Sequence, residues 1–140
     1  MQQESLGFLL ADASRLMRRL FQLRLKTSHL TLAQARALVY VSRHEGVRQI
    51  DLAELLEIQP ITLARLIDQL AAAGLVERRP DPGDRRAYQI FLTAAAIPHL
   101  EEIKRVAQVI QEYVFSDLTV SESKRFLATL SSLRDKLAAA

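Results

Sequence analysis

The residues best suited to a chemical role are arginines at two places, one in a helical segment and two in a turn between short strands. Arg65 lies in "QPITLARLIDQLAAAG" (59–74), and Arg85 and Arg86 lie in "DPGDRRAYQIFLT" (81–93). A guanidinium can grip a guanine edge or a phosphate with two hydrogen bonds, and an arginine on a narrow protrusion can enter the minor groove. These arginines therefore predict contact with duplex DNA.

Residues around Arg65 extend this prediction along the same helix. Thr62 lies three positions before Arg65 and shares its side of a helix, while Gln59 can pair with adenine. Asp68, one turn beyond Arg65, is expected to steady its guanidinium. The predicted major-groove residues are Gln59, Pro60, Thr62 and Arg65. The alternative is structural: Arg65 pairs with Asp68 on the helix surface, and Gln59 and Thr62 cap the helix.

The second group of residues lies at the hairpin tip, residues 80–87, which we call the wing. Asp84 stands two positions before Arg86 and is expected to hold its guanidinium by a charge-assisted hydrogen bond. That restraint lowers the side-chain entropy lost when Arg86 enters the minor groove. Arg85 is expected to meet a phosphate, which adds affinity without reading sequence. The alternative for this doubled arginine is a solvated hairpin tip.

Composition excludes several other kinds of site. The chain has 140 residues and no cysteine, so disulfides, thiolate catalysis and thiolate metal sites are ruled out. Its three histidines are scattered, and no nucleophile–base pair or phosphate-binding glycine loop is present. We therefore expect no catalytic residues, no metal, no cofactor and no enzyme activity. The net charge of +3 is too small to identify a partner by itself.

Hydropathy indicates where the chain is expected to reside. No stretch approaches the ~20 apolar residues that cross a bilayer. The first twenty residues carry an acid early and arginines late, which is the wrong order for a signal peptide. We therefore expect a cytoplasmic protein with no membrane partner.

The spacing of apolar residues predicts helices around one hairpin, which makes the fold mainly α with a small β-hairpin wing (α+β). Capping pairs Thr31–Gln34 and Thr119–Glu122 mark two helix starts, and Thr93 is expected to cap another, with Pro98 either kinking it or delaying its start by one turn. The predicted helices span about 4–28, 31–45, 49–58, 59–73, 93–116 and 119–138, and the predicted strands span 75–79 and 86–92, with a turn at 80–84.

The stretch "LAELLEIQPITLARLIDQLAAAGLVERRPDPGDRRAYQIFLT", within residues 49–93, resembles the DNA-binding core of the MarR/SlyA regulators. Their pattern reads roughly as an LA–LG helix, a helix ending RLIDxLExxGLV, and then RxxDPxDRRxxxxxLT. The helices on either side also occur in the family's order. Two positions depart from the pattern: Glu57 stands where the family usually has glycine, and Pro60 lies one residue earlier than in many relatives.

The resemblance implies one MarR-type domain over residues 1–140, with a winged helix-turn-helix lobe at 31–93 and helical dimerisation regions at 1–30 and 94–140. It implies a homodimeric transcriptional regulator, repressor or activator, that binds a pseudo-palindromic operator. Recognition helices 59–73 would enter successive major grooves, and the wings would reach outer minor grooves.

Leucine stripes near both chain ends also indicate a dimer, since one chain of this length has difficulty burying them. The predicted interface residues are Leu6, Leu9, Leu10, Leu127, Leu130 and Leu133. The family resemblance further implies a small aromatic carboxylate or phenolic effector in a cleft beside the lobe. Arg18 and His29 are candidates to contact it, and purely structural or solvent-facing roles are the alternative for both.

Other functions compete with this prediction. The segment 49–73 carries one basic and four acidic residues, which would suit a winged helix that contacts protein instead of DNA. The basic amphipathic run 15–26 would suit a membrane surface, although a dimer helix with a solvated face is the preferred interpretation.

Overall fold

The computed structural model describes residues 3–25 and 29–140 and has the predicted composition of helices around a small sheet. The helices are α1 Leu6–Arg24, α2 Leu32–Arg43, α3 Gln49–Leu56, α4 Pro60–Ala72, α5 Ile97–Val114 and α6 Val120–Ala138. The strands are β1 Val47–Arg48, β2 Val76–Asp81 and β3 Asp84–Leu92. A 3-10 helix at Ala94–Ala96 precedes α5. The prediction of a mainly helical fold with a β wing is confirmed.

Two helices begin with the predicted capping boxes. The Thr31 hydroxyl accepts from the Gln34 amide at 3.1 Å, and the Gln34 side chain accepts from the Thr31 amide at 3.0 Å. Thr119 and Glu122 repeat this exchange at 3.1 and 2.9 Å. The Thr119 amide also lowers the pKa of Glu122, because it stabilises the ionised carboxylate. Each box satisfies amides that a helix start leaves without partners.

The first helix is shorter than the predicted span 4–28. Ser5 caps α1 by accepting from the Phe8 amide at 3.3 Å, so the helix begins at Leu6, and it ends at Arg24. Positions 26–28 of the predicted helix lie outside the described residues.

The prediction that the Thr93 side chain caps the fifth helix was wrong. Its hydroxyl donates instead to the Gly74 carbonyl at 2.6 Å, because the end of β3 lies beside Gly74, the second residue after α4. A 3-10 turn intervenes, and α5 begins at Ile97. Of the two alternatives for Pro98, the later helix start is the one observed, and it places the proline in the first turn, where a missing amide costs nothing.

The sheet has one strand that the sequence analysis did not predict. Its order is β1-β3-β2, all antiparallel, with Val47 opposite Ile90. The turn predicted at 80–84 is too long, because β2 continues to Asp81 and β3 resumes at Asp84, with Asp81 and Asp84 paired. The wing is therefore a strand-paired arm with a turn of residues 82–83.

The core that positions the lobe is drawn from α2, α3, α4 and β3. The chain divides into two compact units, Met1–Val106 and Ala107–Ala140. In the first unit, the largest fully buried side chains are Leu38, Val41, Leu52, Leu63, Ile67, Leu70, Ile90 and Val106. In the second unit, the rings of Phe115 and Phe126 meet edge to face at 5.7 Å. Within the described residues, no helix is long and apolar enough to cross a membrane.

Candidate nucleic-acid interface

Helices α3 and α4 form a helix-turn-helix whose turn is made by a non-glycine residue. Glu57 closes α3 in the left-handed region, at φ 55° and ψ 43°. Its amide donates to Glu54 at 3.1 Å, and the Ile58 amide donates to Ala53 at 3.1 Å. The family pattern has glycine at this position because an L side chain is disfavoured there. Glu57 therefore makes the turn between α3 and α4 in a backbone conformation that is unfavourable for a residue with a side chain.

Helix α4 buries one side and exposes the side that carries the predicted DNA contacts. Leu63, Ile67 and Leu70 are fully or almost fully buried. The predicted major-groove residues are all exposed at the amino-terminal end of the helix: Gln59, Pro60, Thr62 and Arg65. Gln59 occupies the N-cap position, but its side chain makes no capping hydrogen bond, so the capping alternative for Gln59 is not what the structure shows.

Asp68 does not steady Arg65, and that prediction was wrong. Its Oδ1 accepts from Nη1 of Arg78 at 2.6 Å, since β2 runs beside α4. Nε of Arg78 donates to Oε1 of Gln49 at 2.8 Å, and Nη2 donates to the Ala64 carbonyl at 3.1 Å. One guanidinium thus joins β2 to the first residue of α3 and to the middle of α4. We call these contacts the Arg78 clamp.

The wing aspartate also acts differently from the prediction. Oδ1 of Asp84 accepts from the backbone amide of Arg86 at 2.9 Å, so the acid fixes the backbone at the wing and does not hold the Arg86 guanidinium. This local bond is favoured because the short side chain of an aspartate readily reaches the backbone amide two positions later, whereas the guanidinium at the end of a long arginine side chain lies farther away. Within the described residues, no ion pair involves Arg65, Arg85 or Arg86.

A second ion pair, which the sequence did not predict, ties the turn of the wing to β1. Oδ2 of Asp81 accepts from Nε of Arg48 at 2.6 Å, and Oδ1 accepts from the Gly83 amide at 2.7 Å. The Asp81 side chain is only 9% exposed. The Gly83 amide and then Arg48 hold the pKa of Asp81 below its ordinary value, and the carboxylate raises the pKa of Arg48. The turn signature of Asp81 and Gly83 is visible in sequence, but Arg48 lies 33 positions away.

The start of α4 and the β3 side of the wing border one concave surface. Its cavity has a volume of about 260 Å³, and the lining residues are Arg48, Gln49, Ile50, Pro60, Asp84, Arg86, Ala87 and Tyr88. Of the predicted site residues, Pro60, Asp84 and Arg86 are brought together here. Thr62 lines a separate cavity of about 110 Å³ beside Arg36 of α2. Arg79 lies over the Phe91 ring at 3.9 Å and pairs with Glu77, so it belongs to the sheet.

The remaining predicted residues lie outside this surface, on α1, on α6 and in the segment before α2. Arg18 donates to the Ser14 hydroxyl at 2.6 Å and is exposed, as is His29, whose φ is 58°. No residue of α1 or α6 is buried. Of the predicted dimer residues, Leu6, Leu9, Leu10 and Leu127 are exposed, and Leu130 and Leu133 are half-buried. Among the described residues, no group of three or more potential ligands could hold a metal ion.

The MarR family model matches residues 30–88, which hold both arginine groups. A crystal structure of MarR superposes with a TM-score of 0.90 at 27% identity, over 99% of this chain and 95% of that one. A mutant MarR from E. coli complexed with operator DNA superposes at 0.74 with 27% identity, over 94% and 92%. A MarR transcriptional regulator from Methanosarcina mazei Go1 shares the fold, at 0.85 with 24% identity, over 95% and 96%. The predicted family likeness therefore extends to three-dimensional structure.

Proposed function

Because residues 30–88 match the MarR family model and the fold matches solved MarR structures, we propose that the chain is a MarR-family winged helix regulator, a homodimer that binds a pseudo-palindromic DNA operator in a sequence-specific manner. Helix α4 enters the major groove and the wing enters the adjacent minor groove. The structural match to a MarR mutant in complex with operator DNA supports this proposal.

The observation that carries the proposal is the division of arginines in the lobe into engaged and available ones. Arg48 and Arg78 are committed to Asp81 and Asp68. The exposed arginines at the start of α4 and on the wing have no ion pair among the described residues. Exposed arginines without ion-pair partners suit a polyanion.

Each available residue has a role that follows from its position. Arg65 grips a guanine edge or a phosphate, and Gln59 and Thr62 approach neighbouring bases. Arg86 enters the minor groove from a backbone that Asp84 holds in place, and Arg85 binds a phosphate. In this arrangement base contacts give specificity and phosphate contacts give affinity.

The exposed leucines support the dimer. Leu6 is 59% exposed and Leu9 is 51% exposed, and α6 likewise has no buried residue. Apolar surface of this extent is stabilised by burial against a second copy. Two-fold symmetry then presents two recognition helices to half-sites about 10 bp apart.

The proposed effector is a small aromatic carboxylate or phenol, with Arg18 and His29 as the residues that meet it. Both are exposed, and Arg18 can exchange its bond to Ser14 for a carboxylate. A thermal-shift panel of aromatic acids tests this: the expected result is stabilisation that Arg18→Ala reduces. A flat response across the panel rejects this class of effector.

Selection from random duplex DNA tests the proposed function. The expected result is a two-fold-symmetric motif with half-sites about one helical turn apart. The affinity of Arg65→Ala and Arg86→Ala for the selected duplex should fall by about 1–3 kcal/mol each. Arg15→Ala is the matched control, because it removes the same charge from α1, where Arg15 pairs with Asp12. Failure to enrich any motif at low salt would favour the protein-contact alternative.

A further inference from the structure

An apolar side chain lies on the exposed side of α4, in the first turn of the helix. Ile61 is 66% exposed, although it is one of the larger hydrophobic residues of the lobe. At about 100° per residue, it lies roughly 150° around the helix from the mean direction of Leu63, Ile67 and Leu70, which are buried. Packing within the chain therefore does not account for an isoleucine at this position.

Helix propensity does not account for it either. A β-branched residue is a poorer helix former than alanine, lysine or glutamine, any of which would suit a solvated site. A single exposed apolar residue on an arbitrary surface would need no explanation. Ile61, however, stands one turn before Arg65 and so shares its side of the helix. It lies between the two residues best placed to read base edges, Gln59 and Arg65.

We propose that Ile61 is a specificity-determining residue that packs against the C5-methyl group of thymine in the operator. The inference rests on the proposed function, and it adds that Ile61 of α4 recognises thymine. Thymine presents the only apolar group among the base edges of the major groove, and aliphatic side chains contact it there. The neighbouring Arg65, which has no ion pair among the described residues, favours a polyanion over an apolar protein partner on this surface.

The test removes the methyl group and the isoleucine separately and together. Each thymine of the selected duplex is replaced in turn by deoxyuridine, which keeps the hydrogen-bonding groups and loses only the methyl. For the wild-type chain, one or two positions should lose about fourfold in affinity, the worth of one buried methyl. Ile61→Ala should bind the unmodified duplex more weakly by a similar factor, and deoxyuridine at those positions should then have no further effect.

Val120→Ala is the matched control, since Val120 is also an exposed β-branched residue in the first turn of a helix but belongs to α6. It should keep the full response to deoxyuridine. Ile61→Ala should not lower the melting temperature, because Ile61 is exposed and alanine is the better helix former.

The outcomes separate this inference from the proposed function. If the duplex binds but Ile61→Ala and wild type respond equally to deoxyuridine, or no thymine methyl affects binding, the inference is overturned and the proposed function stands. If selection enriches no duplex at all, both the inference and the proposed function are overturned.

Discussion

Truncating the central residue of the Arg78 clamp should destabilise the lobe measurably. Its guanidinium makes three contacts, to Asp68 at 2.6 Å, Gln49 at 2.8 Å and the Ala64 carbonyl at 3.1 Å. The Arg78 side chain is 25% exposed, whereas Asp68 is 66% exposed, so the ion pair with Asp68 is partly screened by water. A net hydrogen bond contributes about 0.5–1.5 kcal/mol, so Arg78→Ala should lower the free energy of unfolding by about 2–3 kcal/mol.

Arg79→Ala supplies the control at the neighbouring position. Arg79 pairs with Glu77 on the same strand and lies over the Phe91 ring at 3.9 Å, and its side chain is 55% exposed. A surface ion pair and an exposed cation–π contact together contribute about 1 kcal/mol. The two variants remove the same side chain from adjacent positions of β2, so their difference isolates the clamp.

Equilibrium denaturation in urea, at one fixed protein concentration, measures both variants. At about 2–4 °C per kcal/mol, Arg78→Ala should also lower the melting temperature by roughly 5–10 °C. Equal destabilisation by Arg78→Ala and Arg79→Ala would show that the contacts of Arg78 with α3 and α4 add no stability beyond that of a surface arginine.

Three further predictions concern the wing and the helix ends. Folding lowers the pKa of Asp81 from 3.8, so the stability contributed by its carboxylate is complete above that pH and is lost as pH falls through the folded-state pKa. Asp81→Asn should therefore flatten the fall in melting temperature between pH 5 and pH 2. Glu122→Gln is measured beside it, because it removes a second carboxylate whose pKa folding lowers. Glu57→Gly should raise the free energy of unfolding by about 0.5–1 kcal/mol, because it relieves a left-handed backbone, and an unchanged or lower value in urea would argue against that strain. Thr93→Val should lower it by about 1 kcal/mol through loss of the bond to Gly74, and Thr129→Val, which loses a hydroxyl bond to the Arg125 carbonyl within α6, serves as its comparison.

Local signals in the sequence predicted much of the fold because their partners lie within one helical turn. The pairs Thr31–Gln34 and Thr119–Glu122 are three residues apart, and both form the boxes that their spacing implies. The alternating run after Arg86 likewise predicted a strand that the structure contains. Such features depend on neighbouring residues and are visible without tertiary structure.

Contacts between distant parts of the chain were not predictable in the same way. Arg78 meets partners 10 to 29 positions away, and Thr93 meets Gly74 across 19 positions. The two-residue strand β1 is too short to show an alternating pattern. In the candidate site, residue types predicted the arginines, but the atom that Asp84 binds depends on backbone geometry.

The exposed isoleucine of α4 shows a different limit. Apolar periodicity assigns Leu63, Ile67 and Leu70 to the core, and Ile61 is simply left over from that pattern. Only its exposure in the structure, on the side that carries Arg65, makes it a candidate for base recognition.

Hydroxyl-radical footprinting of the selected duplex reports contacts along both strands at once and so shows which grooves α4 and the wing occupy. The wild-type chain should protect two successive half-sites together with flanking minor-groove stretches, and Arg86→Ala should lose the flanking protection while the central protection remains. Flanking protection that is identical for the wild-type chain and Arg86→Ala would contradict the placement of the wing in the minor groove.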